Sequence, residues 1–224
     1  MRRPRPYTWA APAYDRLSLE RPVYRVGRVA GIEALGLRWG DRVLDVGCGT
    51  GLSFPLLRSS IGPAGRVVGV DSSPEMVQQA RRRVEAHGWE NVELVVADAT
   101  TLGDRVGRTP STDSAPTRHM TGSFDAAIFV YSLSLMRAWQ RAWDSVLPLV
   151  RPGGRLAVVD MATPGGWARV WTPLAHLATR AGGADIDAHP WTALERDLTQ
   201  VQGKSLRGGH LQVRAGTVPS HEKP

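Results

Sequence analysis

Residues 41–71, DRVLDVGCGTGLSFPLLRSSIGPAGRVVGVD, restrict the fold of this chain more than any other stretch. Val43-Leu44-Asp45-Val46 is a short apolar run suited to a buried strand, and Gly47-Cys48-Gly49-Thr50-Gly51 follows at once. Glycines let the main chain turn sharply and come close to a ligand where a side chain would collide. Leu52–Ser60 has helical patterning, with Pro55 tolerable only near its start. A second buried strand, Arg66–Val70, ends in Asp71, 20 residues beyond Gly51. Strand, glycine turn, helix, strand and acid make the nucleoside-binding half of a doubly wound sheet. The acid at the strand tip can accept hydrogen bonds from two ribose hydroxyls.

The glycine spacing separates cofactor classes. A dinucleotide site wants G-x-G-x-x-G, because its pyrophosphate sits on a helix N-terminus. Here the run is G-x-G-x-G, with Asp45 two residues ahead of it. A carboxylate there repels pyrophosphate and suits a ligand that carries an amino group and a sulfonium. The stretch resembles motif I of the class I S-adenosylmethionine-dependent methyltransferases, and Asp71 matches that family's ribose-binding acid. An NAD-linked oxidoreductase and a non-catalytic S-adenosylmethionine-binding protein are the alternatives.

The resemblance runs from Tyr14 to Asp160. Met1–Pro12 is a Pro/Arg-rich arm. A helix is expected from Arg21, with Val26, Val29, Ile32 and Leu35 as its apolar stripe. Tyr14, in a Y-D element like one that covers the cofactor pocket in several small-molecule methyltransferases, is a candidate lid residue. Ser73 and Pro74 start a helix through Met76, Val77, Ala80 and Val84 that ends near Gly88. Arg81-Arg82-Arg83 lies off that stripe and reads as a solvated face. Asn91–Val96 is the third strand. Residues 103–122 are polar, aperiodic and rich in Pro, Ser and Thr, and read as a mobile insertion. Phe124–Val130 is the fourth strand. Leu133–Val150 is amphipathic, with Trp139 and Trp143 packing on one face. The run Leu149-Val150-Arg151-Pro152-Gly153-Gly154 forms a turn before a fifth strand, Leu156–Asp160. A helix over Ala162–Ala181, a short helix over Trp191–Leu198 and a hairpin turning at Gly208-Gly209 complete the chain.

The expected fold is therefore α/β: a Rossmann-like, seven-stranded, mostly parallel sheet with helices on both faces and a C-terminal antiparallel hairpin. Residues 1–36 form an arm and cap helix, 37–218 the S-adenosylmethionine-binding domain and 219–224 a tail. The resemblance implies cofactor contacts from Tyr14, Asp45, Gly47, Cys48, Gly49, Thr50, Gly51, Asp71, Ser72, Met76, Asp98, Ala99, Val130 and Tyr131. S-adenosyl-L-methionine is the implied cofactor.

Methyl transfer from a sulfonium is an in-line displacement that rests mainly on alignment. A base is needed only where the acceptor arrives protonated, and His176, His189 and Tyr131 are the candidates. Trp167, Trp171 and Trp191 could wall an apolar pocket or hold a methylated ammonium. Asp185, Asp187 and His189 form no convincing metal set, so no metal is expected. The GCGTG-L loop and the run Asp71-Ser72-Ser73-Pro74-Glu75-Met76 look like those of quinone-biosynthesis C-methyltransferases and bacterial phospholipid N-methyltransferases. That implies a small-molecule or lipid-headgroup acceptor. A Y-S-L-S run stands after strand four in place of the N-P-P-Y type tetrad of base and amide methylation, which argues against a nucleic-acid acceptor.

The net charge of +7 across 224 residues favours anionic partners, an acidic membrane surface among them. Cys48 is the sole cysteine, so no internal disulfide forms, and it reads as a small residue in a tight turn. No run approaches the roughly 18 apolar residues of a membrane span. The first ten residues lack a signal peptide's apolar core, so a cytoplasmic protein with peripheral membrane contact is expected. No sequence feature specifies an oligomeric state.

Overall fold

The structure is a computed structural model that describes residues 24–103, 123–163 and 188–220. Strand β1 (Arg42–Val46) buries four consecutive residues. A strand hidden on both faces belongs in the middle of a parallel sheet. It pairs in parallel with β2 (Arg66–Asp71) on one side and β4 (Phe124–Val130) on the other, so Asp45 lies between Gly69 and Ile128. Beyond β2 lies β3 (Val92–Val96), and beyond β4 lies β5 (Val150–Met161), both parallel. Strand β7 (Leu211–Thr217) runs antiparallel between β5 and β6 (Thr199–Leu206). The sheet order is β3-β2-β1-β4-β5-β7-β6. The chain winds outward in opposite directions from β1 and β4, which places the ligand crevice of such a sheet over their carboxyl ends.

One face is covered by α1 (Arg25–Ala34), α2 (Phe54–Ile61) and α3 (Pro74–Ala86), through Ile32, Leu35, Phe54, Leu57, Ile61 and Ala80. The other is covered by α4 (Trp139–Val146) and α5 (Trp191–Asp197), through Ala142, Trp143, Val146, Trp191 and Leu194. Trp143 is fully buried, and its indole nitrogen donates to Asp197 at 2.7 Å, tying the two helices together. Trp139 packs at the edge of the same core. No helix among the described residues is long and apolar enough to cross a membrane.

Three local expectations are corrected. The buried face of α1 is Gly27, Arg28, Gly31 and Ile32, while Val26 is exposed. A side chain at Gly27 would strike the Tyr131 hydroxyl, and one at Gly31 would strike Val159, so the helix lies against the sheet because these positions lack one. The Pro-Gly-Gly segment is absorbed into β5, not held as a turn before it. The register jumps from Phe124↔Val150 to Ala126↔Arg155, and Arg151–Gly154 bulge out of the pairing. Arg83 is half-buried and reaches back to the Thr50 carbonyl at 2.8 Å, leaving Arg81 and Arg82 as the solvated pair. The helix expected over 162–181 and all but the first residue of the insertion expected over 103–122 fall largely or wholly outside the described residues.

Candidate functional site

The glycine loop crosses from β1 to α2 directly over β2. The amides of Gly47 and Cys48 both donate to the Val70 carbonyl, at 2.7 and 2.9 Å. Asp71, at the tip of β2, fixes the rest. Its Oδ2 accepts from the Gly49 amide and its Oδ1 from the Ser73 amide, each at 2.9 Å. Ser73 then caps α3 by accepting from the Met76 amide at 3.2 Å. Gly47 has a φ of +70°, and a Cβ there would lie 2.5 Å from that of Ser132. Gly49 also has a positive φ, +55°, but a Cβ there would meet no atom of the described residues within 4 Å. One glycine is required by the fold. The other leaves its open side toward the crevice.

Below the loop lies a buried charged cluster. Asp45 is 1% exposed, and its Oδ2 has no hydrogen-bond partner among the described residues. Ser53, at the start of α2, hydrogen-bonds Asp45 and also accepts from Arg28 Nη1 at 2.8 Å. Arg28 comes from α1 and is only 7% exposed. Burial pushes the Asp45 carboxyl up to about 7, with Arg28 and Ser53 pulling it down and Asp71 adding to the rise. A buried carboxylate oxygen without a donor is costly. A ligand ammonium satisfies it, and a pyrophosphate does not.

The tip of β4 carries Val130, Tyr131 and Ser132. Ser132 Oγ donates to the Val46 carbonyl at 2.7 Å, locking the tips of β1 and β4 together. Tyr131 has a φ of +54°, which turns its ring toward α1. Its hydroxyl donates to the Tyr24 carbonyl at 2.8 Å, and the two rings meet edge to face with centroids 5.0 Å apart. Tyr24 in turn lies 6.4 Å from the ring of His210. His210 reaches this end of the sheet because β7 starts beside Met161, the last residue of β5. Its Nδ1 lies 2.9 Å from the Ala162 carbonyl. A carbonyl only accepts, so the contact places a hydrogen on Nδ1.

The remaining expected residues are placed as follows. Thr50, Met76, Ala99 and Val130 are buried around the crevice. Ser72 is exposed between Asp71 and the α3 cap. Asp98, at the end of β3, accepts from the Thr100 amide and hydroxyl at 2.9 and 2.8 Å and so fixes a short helical turn. Cys48 is buried, and its thiol is held protonated by that burial and by the charges of Asp45 and Asp71, as befits a space-filling residue. His189 is exposed ahead of α5, its ring 5.0 Å from that of Trp191. Tyr14, His176, Trp167, Trp171, Asp185 and Asp187 lie outside the described residues. Among the described residues no three His, Cys, Asp or Glu side chains gather as a metal site. The structure adds two residues to the site that sequence reading passed over, Arg28 and His210.

Comparison with known proteins gives the family and the fold. A family model for a methyltransferase domain matches residues 37–185. An uncharacterised 37.1 kDa protein in transposon TN4556 of Streptomyces fradiae is 37% identical over 215 residues, covering 84% of this chain and 57% of that protein. A demethylmenaquinone methyltransferase of Listeria welshimeri is 28% identical over 165 residues, 72% of this chain and 64% of that protein. The chain thus spans less than two thirds of the length of these curated relatives. In fold, it is similar to a SAM-dependent methyltransferase from Aquifex aeolicus, with a TM-score of 0.61, 17% identity, and coverage of 96% of this chain and 100% of the other.

Proposed function

Since the chain belongs to the class I S-adenosylmethionine-dependent methyltransferase family, we propose that it moves a methyl group from S-adenosylmethionine to a small-molecule acceptor, with a lipid headgroup included in that class. The observation that carries this reading is the unpartnered, buried Asp45 oxygen on the floor of the glycine loop. When bound, the cofactor supplies a methyl group already activated on a sulfonium. Asp45 would hold the amino end of the ligand and Asp71 the ribose hydroxyls, and the open side of Gly49 would admit the chain between them. Met76, Asp98 and Ala99 flank the base. The ring of Tyr131, fixed by its bond to Tyr24, would form a wall beside the methyl group. Holding nucleophile and methyl in line accounts for most of what such a site must do.

The acceptor side is supported by Tyr24, Tyr131, His210 and Met161 at the carboxyl ends of β4 and β5. Aromatic walls suit a planar or cationic small molecule. The Listeria relative is named for a demethylated quinone, which fits that class. His210, whose Nδ1 is engaged by the Ala162 carbonyl, has Nε2 as the nitrogen that can take a proton from an acceptor that arrives as O–H or N–H, and it joins His176, His189 and Tyr131 as a base candidate. Incubation with methyl-labelled S-adenosylmethionine and fractionated lysate tests the reading. Label is expected in small metabolites or lipids. Label confined to nucleic acid or protein, or calorimetric binding of NAD in preference to S-adenosylhomocysteine, overturns it.

Asp45 also sets a pH dependence. Its folded value of about 7 lies above the ordinary 3.8, so the folded chain keeps a proton that the unfolded chain releases. Stability from this group is complete below the ordinary value and is lost as pH rises through about 7. An ammonium seated on Asp45 favours the charged carboxylate instead. Affinity for S-adenosylhomocysteine is therefore expected to rise with pH up to about 7 and then level off. Calorimetry in buffers of different ionisation enthalpy should show proton release on binding at about pH 6 and almost none at about pH 8. Asp45→Asn should abolish the difference.

A further inference from the structure

We infer that Asp160, near the end of β5, is a positioning residue for the acceptor: by gripping the turn that follows β4, it holds Tyr131 at the mouth of the crevice. The inference deepens the proposed function and rests on it, because Tyr131 is the wall which that reading sets beside the methyl group. Asp160 is 0% exposed and follows the apolar run Leu156-Ala157-Val158-Val159. A carboxylate in such a place is costly unless its oxygens are hydrogen-bonded. Burial pushes it up to about 6 from the ordinary 3.8, against the pull of its donors. Those donors show what the carboxylate maintains. Its Oδ1 accepts from the Ser134 hydroxyl at 2.6 Å and from the Met161 amide at 2.9 Å. Its Oδ2 accepts from the Ser134 amide at 2.9 Å. Ser134 is buried in the middle of a short helical turn, Leu133–Leu135. Two of the three bonds therefore fix both the main chain and the side chain of one residue, three positions beyond Tyr131.

Tyr131 needs such a grip. Its φ of +54° lies in the left-handed region, which a bulky residue seldom occupies and keeps only where its surroundings over-determine it. Strand β5 holds the bend from both sides. The Val159 carbonyl accepts from the Tyr131 amide at 2.7 Å, and the next residue, Asp160, takes Ser134. Between these points the Tyr131 hydroxyl reaches the Tyr24 carbonyl. Without the Ser134 grip, the segment is expected to relax toward an ordinary φ and carry the ring off Tyr24. The glycine loop is fastened separately, by Val70, by Asp71 and through the Ser132 bond to Val46. Loss of the grip should thus disturb acceptor alignment and spare cofactor binding.

The chain has four tyrosines, so Tyr131 can be assigned in magnetic resonance spectra of tyrosine-labelled protein by its loss in Tyr131→Phe. Its ring signals report the edge-to-face contact with Tyr24. Asp160→Asn keeps the shape but must set its amide nitrogen against the Ser134 or the Met161 N–H. At about pH 8, where Asp160 is charged, this variant should shift the Tyr131 signals toward their unfolded positions. Ser134→Ala, which loses the hydroxyl bond alone, should shift them the same way by less. Calorimetric affinity for S-adenosylhomocysteine should stay within about threefold in both. With saturating labelled S-adenosylmethionine and the small-metabolite or lipid fraction of a lysate as acceptor, Asp160→Asn should transfer methyl about tenfold more slowly or worse. The loss should fall on kcat and not on KM. Tyr131 signals that stay in place in both variants overturn the inference. So does a loss of cofactor affinity equal to the loss of transfer, which would make Asp160 a residue of the fold only. If Asp160→Asn does not fold, Ser134→Ala decides by the same readouts. A wild-type protein that labels no fraction instead brings down the proposed function, and the inference with it; a defect confined to the variants beside an active wild type is the result expected.

Discussion

Asp71→Ala is expected to lower affinity for S-adenosylhomocysteine by at least about 100-fold. The carboxylate is engaged before any ligand arrives: one oxygen holds the Gly49 amide and the other the Ser73 amide. The substitution therefore strips the proposed ribose acceptor, loosens the glycine loop and frees the start of α3 in one step. Each polar group left half-buried without a partner costs about 1–3 kcal/mol. Stability should fall with affinity, by roughly 5–10 °C in Tm for a chain of this size. Asp71→Asn keeps one carbonyl oxygen but must set its amide nitrogen against a backbone N–H. It should show a smaller loss of stability and nearly the full loss of affinity. Calorimetry and thermal denaturation check both arms. Unchanged affinity in Asp71→Ala would remove the ribose from this strand tip.

The second large effect separates two glycines of one loop. Gly47→Ala forces a methyl into the Ser132 side chain at a positive φ. Strain of about 1–3 kcal/mol and overpacking of similar size add up to a loss of roughly 2–6 kcal/mol. The variant should be poorly folded at 37 °C or melt at least ~10 °C early. Gly49→Ala has the same backbone sign but meets no atom of the described residues, so its cost is about 1 kcal/mol. Its methyl instead enters the space assigned to the ligand. Melting should change by only a few degrees, while affinity for S-adenosylhomocysteine falls at least about tenfold. The reverse pattern, a collapsed Gly49→Ala and a robust Gly47→Ala, would mean that the loop is oriented the other way.

The central strands, the glycine loop, Asp71 and the order of elements are legible in the sequence because each has a local cause. Doubly buried strands are short apolar runs, and the turn between them needs residues without side chains. The misreadings share another origin. Apolar residues are expected inside, which puts Val26 on the α1 stripe, yet the buried face is built on Gly27 and Gly31, whose value lies in close approach. Pro152-Gly153-Gly154 reads locally as a stop, and only the pairing of β5 with β4 shows it to be a bulge. Arg28 is hidden because an arginine is assigned to the surface unless its counter-charge is known, and Asp45 is 17 positions away on another element. His210 could have been found. Antiparallel pairing of the hairpin beside a parallel β5 sends the Gly208-Gly209 turn to the carboxyl end of the sheet, so the residue after it borders the crevice.

The position of β7 bears on how the sheet is made in time. The ribosome releases β6 before β7, yet among the described residues β6 has only β7 to pair with, and β7 lies between it and β5. The half built on β1 can gather while synthesis continues, since its parallel strands all precede residue 162. The far side cannot, because its outermost strand must wait for an inner one that comes later. Until β7 arrives, the row of peptide groups along β5 stays open to strands of other molecules. Nascent chains of this protein thus pass through a stage in which the β5 side of the sheet is the one most open to self-association.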